Sequence, residues 1–166
     1  VAIVPGGVGC IGTREVAYRI NLESRIATRV LRRVAKADYR NEADIYQFAR
    51  QVDWPRLFPV ERGIRVHVTA IRSPLKSLEF ITLKVKDAVC DRFRDESGRR
   101  PNVNTKRPDV RIHLFLTATE ATLYLDTSGD ALYLRGHKAA KVGAPLKENL
   151  AAGILRLAGW TPEIPL

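Results

Sequence analysis

Residues 63–72 read GIRVHVTAIR, and residues 78–96 read LEFITLKVKDAVCDRFRDE. The first stretch alternates apolar and polar residues, which predicts a strand with one buried face. The second places most of its apolar residues in one stripe at helical spacing, which predicts the longest helix of the chain. Phe80 and Leu83 fall off that stripe. Either the helix begins later than Leu78, or its first turns contact a second partner.

A loop and a hairpin are predicted after this helix. Residues 98–108, GRRPNVNTKRP, are rich in Arg, Lys, Asn and Pro, a composition typical of a loop. Apolar and polar residues alternate over 110–116 and again over 121–125, on either side of the short segment 117–120. This pattern predicts a hairpin. Strands and helices in this order predict an α/β (α+β) fold.

The residues after the hairpin predict one further strand, a linker and a helix. Residues 132–134 can form a short strand. Residues 136–145 contain glycine and proline and predict a linker. Residues 146–157 predict an Ala/Leu-rich helix that ends at Gly159.

The N-terminal residues predict a turn followed by an amphipathic helix. Residues 13–28 show helical spacing of apolar side chains, with Thr13 as the N-cap. The glycine-rich residues 5–9 predict a turn between strands rather than a phosphate-binding loop, because no helix follows them directly.

A weak strand and a short helix come next. Apolar and polar residues alternate irregularly over 29–36, so the pattern predicts a strand only weakly. Asn41 or Asp44 then caps a helix. Trp54-Pro55 ends that helix, because the residue before a proline is pushed out of the helical conformation.

The chain is strongly basic, with 28 Lys plus Arg, 18 Asp plus Glu and a formal net charge of +10. Residues 1–60 contain 10 basic and 6 acidic side chains, residues 61–108 contain 12 and 6, and residues 109–166 contain 6 and 6. Such an excess in the first two thirds indicates a surface for a polyanion, because phosphate neutralisation releases counterions and drives non-specific nucleic-acid binding. A merely solvated surface is the alternative.

The candidate RNA-binding side chains follow strand 63–72, lie in helix 78–96 and loop 98–108, or follow the hairpin. A strand–helix–loop unit can bring most of them to one edge. Prolines stiffen the loop, so less entropy is lost when its arginines bind phosphates. Few aromatic residues interleave, which favours recognition of the backbone and shape of folded RNA over stacking of single-stranded bases. The set is Arg72, Lys76, Lys84, Lys86, Arg99, Arg100, Lys106, Arg107, Arg135 and Lys138.

No catalytic or metal site is predicted. Cys10 and Cys90 lie far apart without CxxC or Cys/His spacing, so neither a disulfide nor a zinc site is expected. His67, His113 and His137 also lack metal-ligand spacing, and surface or pairing roles fit them better. No nucleotide-binding or hydrolase motif occurs. No apolar run approaches the roughly 20 residues that a membrane span needs. We therefore expect a cytoplasmic protein that does not bind membranes.

Several blocks of the sequence carry a resemblance to one family. The strong blocks are KVKDAVCDRF at 84–93, RPNVN at 100–104, PDVRIHLFL at 108–116, LDTSGDALYLRGH at 125–137 and APLKENLAAGILRLAGW at 144–160, and weaker ones are GGVGCIG at 6–12 and SRIATRV at 24–30. In this order they resemble the THUMP domain and its connection to the catalytic domain in bacterial 23S rRNA guanine-N2 methyltransferases. The last two strong blocks are specific to this branch and are lacking in THUMP proteins that make thiouridine or pseudouridine. One departure is the pair His137-Lys138, where the family more often has an aromatic residue followed by arginine.

The resemblance implies a partial ferredoxin-like domain at 1–40, a THUMP RNA-binding domain at 41–135, a linker at 136–145, and the leading helix of a Rossmann-like methyltransferase domain at 146–166. It also implies S-adenosylmethionine as the cofactor of a longer protein, and a hairpin or folded region of 23S rRNA as its partner. The family's D-P-x-C-G-S-G-T and N-P-P-Y segments do not occur in this sequence. No catalytic or cofactor-binding residue is therefore carried over.

The sequence contains no methionine, so we expect that Val1 is not a translation start and that a longer protein contains these residues. Four functions stay open: the recognition half of a 23S rRNA methyltransferase, the THUMP module of a tRNA-modifying enzyme, a non-catalytic interaction domain, and a self-contained enzyme, which methyl transfer by this chain alone would indicate. Competition between an rRNA hairpin and tRNA would separate the first two. Failure to bind RNA at low salt would favour the third.

Overall fold

The computed structural model describes residues 1–4, 6–135 and 145–163. The chain divides into two compact units, Val1–Val30 with Asp130–Leu166, and Leu31–Gly129. In the described part, no helix is long and apolar enough to cross a membrane. In chain order the elements are β1 (Ala2–Val4), β2 (Gly7–Gly9), α1 (Arg14–Glu23), β3 (Leu31–Asp38), α2 (Glu42–Gln51), a 3-10 turn (Trp54–Arg56), β4 (Ile64–Ala70), α3 (Leu78–Ser97), β5 (Val110–Leu116), β6 (Glu120–Asp126) and α4 (Glu148–Leu157).

The unit Leu31–Gly129 is a four-stranded sheet with helices α2 and α3 on one face. The strand order is β3-β6-β5-β4, with β4 and β5 parallel and the other neighbours antiparallel. Alternate residues of the strands face the apolar stripes of both helices, as the two periodicities predict. Among the buried core residues are Ile45, Phe48, Ile64, Val66, Val68, Ile81, Val85, Val89, Phe93, Ile112, Leu114, Leu116 and Leu123.

Helix α2 begins with a reciprocal capping box. The side chain of Asn41 accepts hydrogen bonds from the backbone N–H groups of Ala43 (2.8 Å) and Asp44 (3.1 Å), and Asp44 accepts one from the Asn41 N–H (3.2 Å). Both predicted caps are therefore used, each satisfying backbone donors that the helix leaves free. The helix ends at Gln51, before the predicted stop, and Trp54–Arg56 forms a separate 3-10 turn with its proline in the first turn.

Helix α3 confirms the predicted stripe and settles where the helix begins. Its first residue is Leu78, preceded by the N-cap Ser77, whose Oγ accepts a hydrogen bond from the Phe80 N–H at 3.2 Å. The helix ends at Ser97, and Gly98 takes the left-handed conformation with φ of 68°. A later start is thus wrong, and the exposure of Phe80 needs another explanation.

The other unit contains a hairpin and two helices. Strands β1 and β2 pair antiparallel around the predicted turn, in which Gly6 has φ of +79°. No side chain of α1 or α4 is buried. The amide of Asn149, in α4, donates hydrogen bonds to Thr28 Oγ1 (3.0 Å) and the Ile26 carbonyl (3.3 Å).

Three predicted elements differ from the structure in this unit. The helix predicted over 13–28 ends at Glu23, because Ser24 is extended. Residues 132–134 form a turn rather than a strand, with the Leu134 N–H bonded to the Ala131 carbonyl at 2.9 Å. The last helix begins at Glu148, two residues later than predicted. Most of the predicted linker, residues 136–144, lies outside the described residues.

Strand β3 is more regular than its sequence pattern predicts. It pairs with β6 over its length, with one register irregularity between Arg33 and Ala35 that accounts for the untidy alternation. Because β3 pairs with β6, residues 31–38 belong to the unit Leu31–Gly129. The resemblance instead places them in an N-terminal domain at 1–40.

Candidate nucleic-acid interface

The predicted basic residues do not meet at one edge. Arg72 and Lys76 follow the C-terminal end of β4, whereas the loop 98–108 precedes the N-terminal end of β5, which runs parallel to β4. Helix α3 connects these two ends with 20 residues, roughly 30 Å at the usual helical rise. The prediction of a single edge is wrong, because the connecting helix carries the chain back across the length of the sheet.

The loop 98–108 is fixed to the sheet by backbone hydrogen bonds. The Ile64 N–H donates to the Asn102 carbonyl at 2.8 Å, and the Asn104 N–H donates to the Ile64 carbonyl at 3.0 Å. These bonds form a short parallel bridge between Ile64 and Val103. The loop thus has a defined path although it belongs to no regular strand.

Two side chains shape the tip of this loop. Asn104 Oδ1 accepts hydrogen bonds from the backbone N–H groups of Lys106 (3.1 Å) and Arg107 (3.0 Å), which closes a tight turn. Arg65, on β4, donates from Nη1 to the Thr105 carbonyl at 2.9 Å. The turn therefore presents Lys106 and Arg107 side by side, and both side chains are exposed.

Gly63 makes the close approach of loop and sheet possible. A Cβ at this position would lie 3.2 Å from Asn104 Cβ and 3.4 Å from Asp109 Oδ2. The Gly63 N–H also donates to Asp109 Oδ2 at 2.8 Å. A larger residue would push the loop away from the start of β4.

Some basic side chains in and near this loop form ion pairs with carboxylates, and others do not. Arg99 pairs with Glu61 at 2.8 Å, and Arg62 pairs with Asp109 at 3.5 Å. The pKa of Glu61 is lowered by its hydrogen bond to its own backbone N–H and then by Arg99. By contrast, four exposed basic residues have no ion pair with any described residue. They form what we call the loop cluster: Arg65, Arg100, Lys106 and Arg107.

Arg65 was absent from the predicted set, although its outward position on the strand was predicted. Register pairs it with Arg111 on β5, so both arginines project from the sheet face opposite the helices. The alternation of residues 63–72 marks Arg65 as outward-facing, but only the path of the loop brings it next to Lys106 and Arg107. That proximity depends on segments about 40 residues apart in sequence.

A second basic group lies at the other end of α3. Arg72 is exposed and has φ of 60°, the one described non-glycine residue with positive φ. Lys76 is exposed just before the helix, and the Lys84 Nζ lies 5.2 Å from the centroid of the Phe80 ring. Together with Leu83, these residues form what we call the β4–α3 cluster. Lys86, also predicted, pairs with Asp87 at 2.9 Å and does not join it.

Arg135, a predicted RNA contact, is occupied by backbone carbonyls of its own unit. Its Nε donates to Leu132 O (2.8 Å), its Nη1 to Leu22 O (2.7 Å), and its Nη2 to Asn21 O and Ser24 O (2.9 Å each). Three of these acceptors lie at the C-terminal end of α1, where a helix leaves carbonyls unsatisfied and a cation is favourable. Lys138 lies outside the described residues.

The two described histidines occupy neighbouring positions on the outward face of the sheet. The rings of His67 and His113 lie 5.5 Å apart, and His113 Nε2 lies 3.7 Å from Asp126 Oδ2. Across residues 1–4, 6–135 and 145–163, no group of three or more His, Cys, Asp or Glu side chains could hold a metal ion.

Two family models match the chain: a THUMP domain over residues 39–126, and the RlmL ferredoxin-like domain over residues 1–31. The Synechocystis sp. protein named "Putative RNA methyltransferase slr0064" is 39% identical over 160 residues, which are 96% of this chain and 42% of that protein. The "Ribosomal RNA large subunit methyltransferase K/L" of Syntrophotalea carbinolica is 43% identical over 158 residues, 95% of this chain and 22% of that protein. The chain thus spans less than half the length of either relative.

Solved structures show the same fold. A Listeria monocytogenes protein, titled a predicted N6-adenine-specific DNA methylase, superimposes with a TM-score of 0.80 at 27% identity, over 93% of this chain and 40% of that one. The structure titled "SMU.472, a putative methyltransferase complexed with SAH" gives a TM-score of 0.69 at 26% identity, over 82% of this chain and 36% of the other.

Proposed function

Because this chain belongs to the THUMP domain family, we propose that it is the RNA-binding, substrate-recognition portion of a ribosomal RNA methyltransferase. The finer proposal is that it holds a hairpin of 23S rRNA while another domain of a longer protein methylates guanine N2. The name of the Syntrophotalea carbinolica relative supports the ribosomal RNA substrate. Nucleoside analysis of 23S rRNA treated with the longer protein would test the position of the methyl group.

The loop cluster is the observation that carries this proposal. It presents three exposed basic side chains that are not neutralised by described carboxylates, on a loop held by hydrogen bonds to β4. A preorganised loop loses less conformational entropy on binding than a flexible one. Arginine and lysine side chains so arranged fit phosphate groups of an RNA backbone, which supply most of the affinity of such interfaces.

We infer that S-adenosylmethionine is the methyl donor of the longer protein, as the S-adenosylhomocysteine complex of a structural neighbour supports. A surface groove of about 480 Å³ beside β3 does not fit it well, because its lining contains a single carboxylate, Asp53. That carboxylate already pairs with Arg92 at 3.2 Å and Arg56 at 3.3 Å, which compete with the hydroxyls of a ribose for its oxygens. We assign the cofactor to the remainder of the longer protein.

A salt titration of RNA binding tests the role of the loop cluster. We expect Arg100→Ala, Lys106→Ala and Arg107→Ala, combined in one variant, to weaken binding to an rRNA hairpin in a gel-shift assay. The slope of log affinity against log salt should fall by about one for each phosphate that the variant no longer neutralises. Arg99→Ala is the control within the same loop, because Arg99 pairs with Glu61 and should contribute less to phosphate binding than an arginine without an ion pair.

Three outcomes of RNA-binding measurements distinguish the alternatives. An unchanged affinity and salt slope in the triple variant would show that the loop cluster does not bind RNA. Tighter binding of tRNA than of the rRNA hairpin in competition would support a tRNA-modifying enzyme instead. Absence of RNA binding by the unaltered chain at low salt would support a non-catalytic interaction domain.

A further inference from the structure

Helix α3 exposes two large apolar side chains outside its buried stripe. Phe80 is 46% exposed and Leu83 is 48% exposed. The helix begins at Leu78, so a later start does not account for them, and contact with a second partner, the other explanation that the sequence offers, stays a prediction. The two residues are three apart, which places them on one face of the helix.

The charges around this apolar face are mainly positive. Arg72 and Lys76 are exposed in the segment before the helix, without an ion pair to any described residue, and the Lys84 Nζ lies over one face of the Phe80 ring, 5.2 Å from its centroid. Glu79 is the acidic side chain of the first helical turn. A basic surface that contains an exposed aromatic ring is complementary to a nucleotide, which offers a flat base and a charged phosphate.

We propose that the β4–α3 cluster binds an unpaired nucleotide of the RNA, with its base stacked on Phe80 and its phosphates bound by Arg72 and Lys76. A base inside a duplex is stacked between its neighbours, so only an unpaired nucleotide can present its face to the ring. This proposal rests on the proposed RNA-binding function. It assigns base stacking to a chain whose sequence pattern favoured recognition of backbone and shape.

The segment that carries Arg72 is held in place before RNA arrives. The Ile71 N–H donates to the Leu116 carbonyl at 2.8 Å. The Tyr39 hydroxyl lies 2.7 Å from Ser73 Oγ and 2.6 Å from the Thr117 carbonyl, which ties the segment after β4 to the end of β5. A fixed segment positions the cation without an ordering step on binding.

The loop cluster and the β4–α3 cluster lie at opposite ends of α3, roughly 30 Å apart by the rise of its 20 residues. One RNA molecule that contacts both must therefore combine a backbone region with an unpaired nucleotide some distance away. A duplex with a single-stranded extension has both features, whereas a blunt duplex has only the first.

The test compares these two RNAs with the full chain and with Phe80→Leu, which keeps an apolar side chain but removes the ring. We expect Phe80→Leu to weaken binding of the extended duplex by roughly fivefold to a hundredfold, the usual range for one stacked base. Affinity for the blunt duplex should stay within about twofold. Phe80→Trp should restore binding of the extended duplex, and 2-aminopurine in the extension should lose fluorescence with the unaltered chain but not with Phe80→Leu.

A charge control uses the same helix. Arg94→Ala removes an exposed arginine that already pairs with Asp91 at 2.9 Å, and should change the affinity for the extended duplex less than Arg72→Ala does. The stacking site would be overturned if Phe80→Leu lowered the affinity for both RNAs equally or for neither of them. It would also be overturned if the fluorescence of 2-aminopurine stayed unquenched with the unaltered chain. In each case the loop cluster could still bind RNA. Failure of the unaltered chain to bind either RNA would overturn the proposed function itself.

Discussion

Single arginines in this chain differ in what their guanidinium groups contact. Arg135 spans four backbone carbonyls, Arg99 pairs with Glu61, and Arg100 is exposed without an ion pair to a described residue. The same side chain can therefore fix a helix end, neutralise a carboxylate or remain available for phosphate. Net charge alone does not distinguish these roles, because each of them requires a particular neighbour.

Replacing Arg135 tests its structural role. Arg135→Lys keeps the positive charge, but a single ammonium cannot span carbonyls that the planar guanidinium reaches together. We expect the free energy of local opening at α1 to fall by about 1–3 kcal/mol, as for loss of hydrogen bonds from a charged donor. Hydrogen exchange of the α1 amides measures this change.

The matched control for Arg135 is Arg156→Lys, which alters an exposed arginine on α4 and should leave exchange in α1 unchanged. If Arg135→Lys weakened RNA binding while exchange in α1 stayed the same, Arg135 would instead act at the RNA surface. That result would restore its predicted role.

At the level of elements, two side-chain pairs connect α2 to α3. The Tyr46 hydroxyl donates to Asp91 Oδ2 at 2.8 Å, and Arg50 Nη2 pairs with Asp95 Oδ2 at 2.6 Å. The partners on each helix are four residues apart, so the two pairs lie one turn apart on facing sides. They supplement the apolar contacts that hold the helices together.

The Tyr46 pair predicts a dependence of stability on high pH. The hydrogen bond to Asp91 is the main cause that raises the pKa of Tyr46, because the phenol must be protonated to donate. Its contribution is therefore complete below the unfolded pKa of about 10 and is lost as pH rises through the higher folded value. We expect Tyr46→Phe to lower the free energy of unfolding by about 1 kcal/mol between pH 7 and 9. That difference should shrink above pH 10.

Urea unfolding across this pH range measures the effect, with Tyr18→Phe as the control because Tyr18 is 66% exposed on α1. A difference between the unaltered chain and Tyr46→Phe that stays constant up to pH 11 would mean that the hydroxyl is not the titrating group.

For the whole molecule, the buried core lies within the unit Leu31–Gly129. Its buried side chains run from Tyr39 to Leu125, whereas α1 and α4 contain none. Burial of apolar surface is the main stabilising contribution in folding, so most of the stability should reside in this unit.

A fragment of residues 31–129 should therefore unfold cooperatively, with a urea midpoint close to that of the full chain by circular dichroism. A second fragment, 41–129, begins where the resemblance places the THUMP domain but lacks β3 and its pairing with β6. We expect a clearly lower midpoint for the shorter fragment. Equal midpoints would show that β3 is not an integral part of the unit.

The predicted fold is confirmed at the level of family and of the most periodic elements. The chain matches the THUMP and ferredoxin-like families that the sequence blocks indicated, over residues 39–126 and 1–31. Strand β4, helix α3 and the β5–β6 hairpin lie where alternation and helical spacing predict them. The turn at 132–134 was predicted as a strand, because three residues are too short a window for periodicity to decide.

The sequence by itself determined which residues face the core of Leu31–Gly129, because the spacing of apolar residues along a strand or helix is a local property that decides which face is buried. It also determined the family, through blocks that keep their order. Only the tertiary structure decided which charges lie together. Parallel pairing of β4 and β5 sends α3 back across the sheet, so Arg72 and Arg100 lie at opposite ends of one helix, while Arg65 joins a loop about 40 residues away. Proximity between distant segments depends on topology, which neither charge nor spacing along the chain specifies.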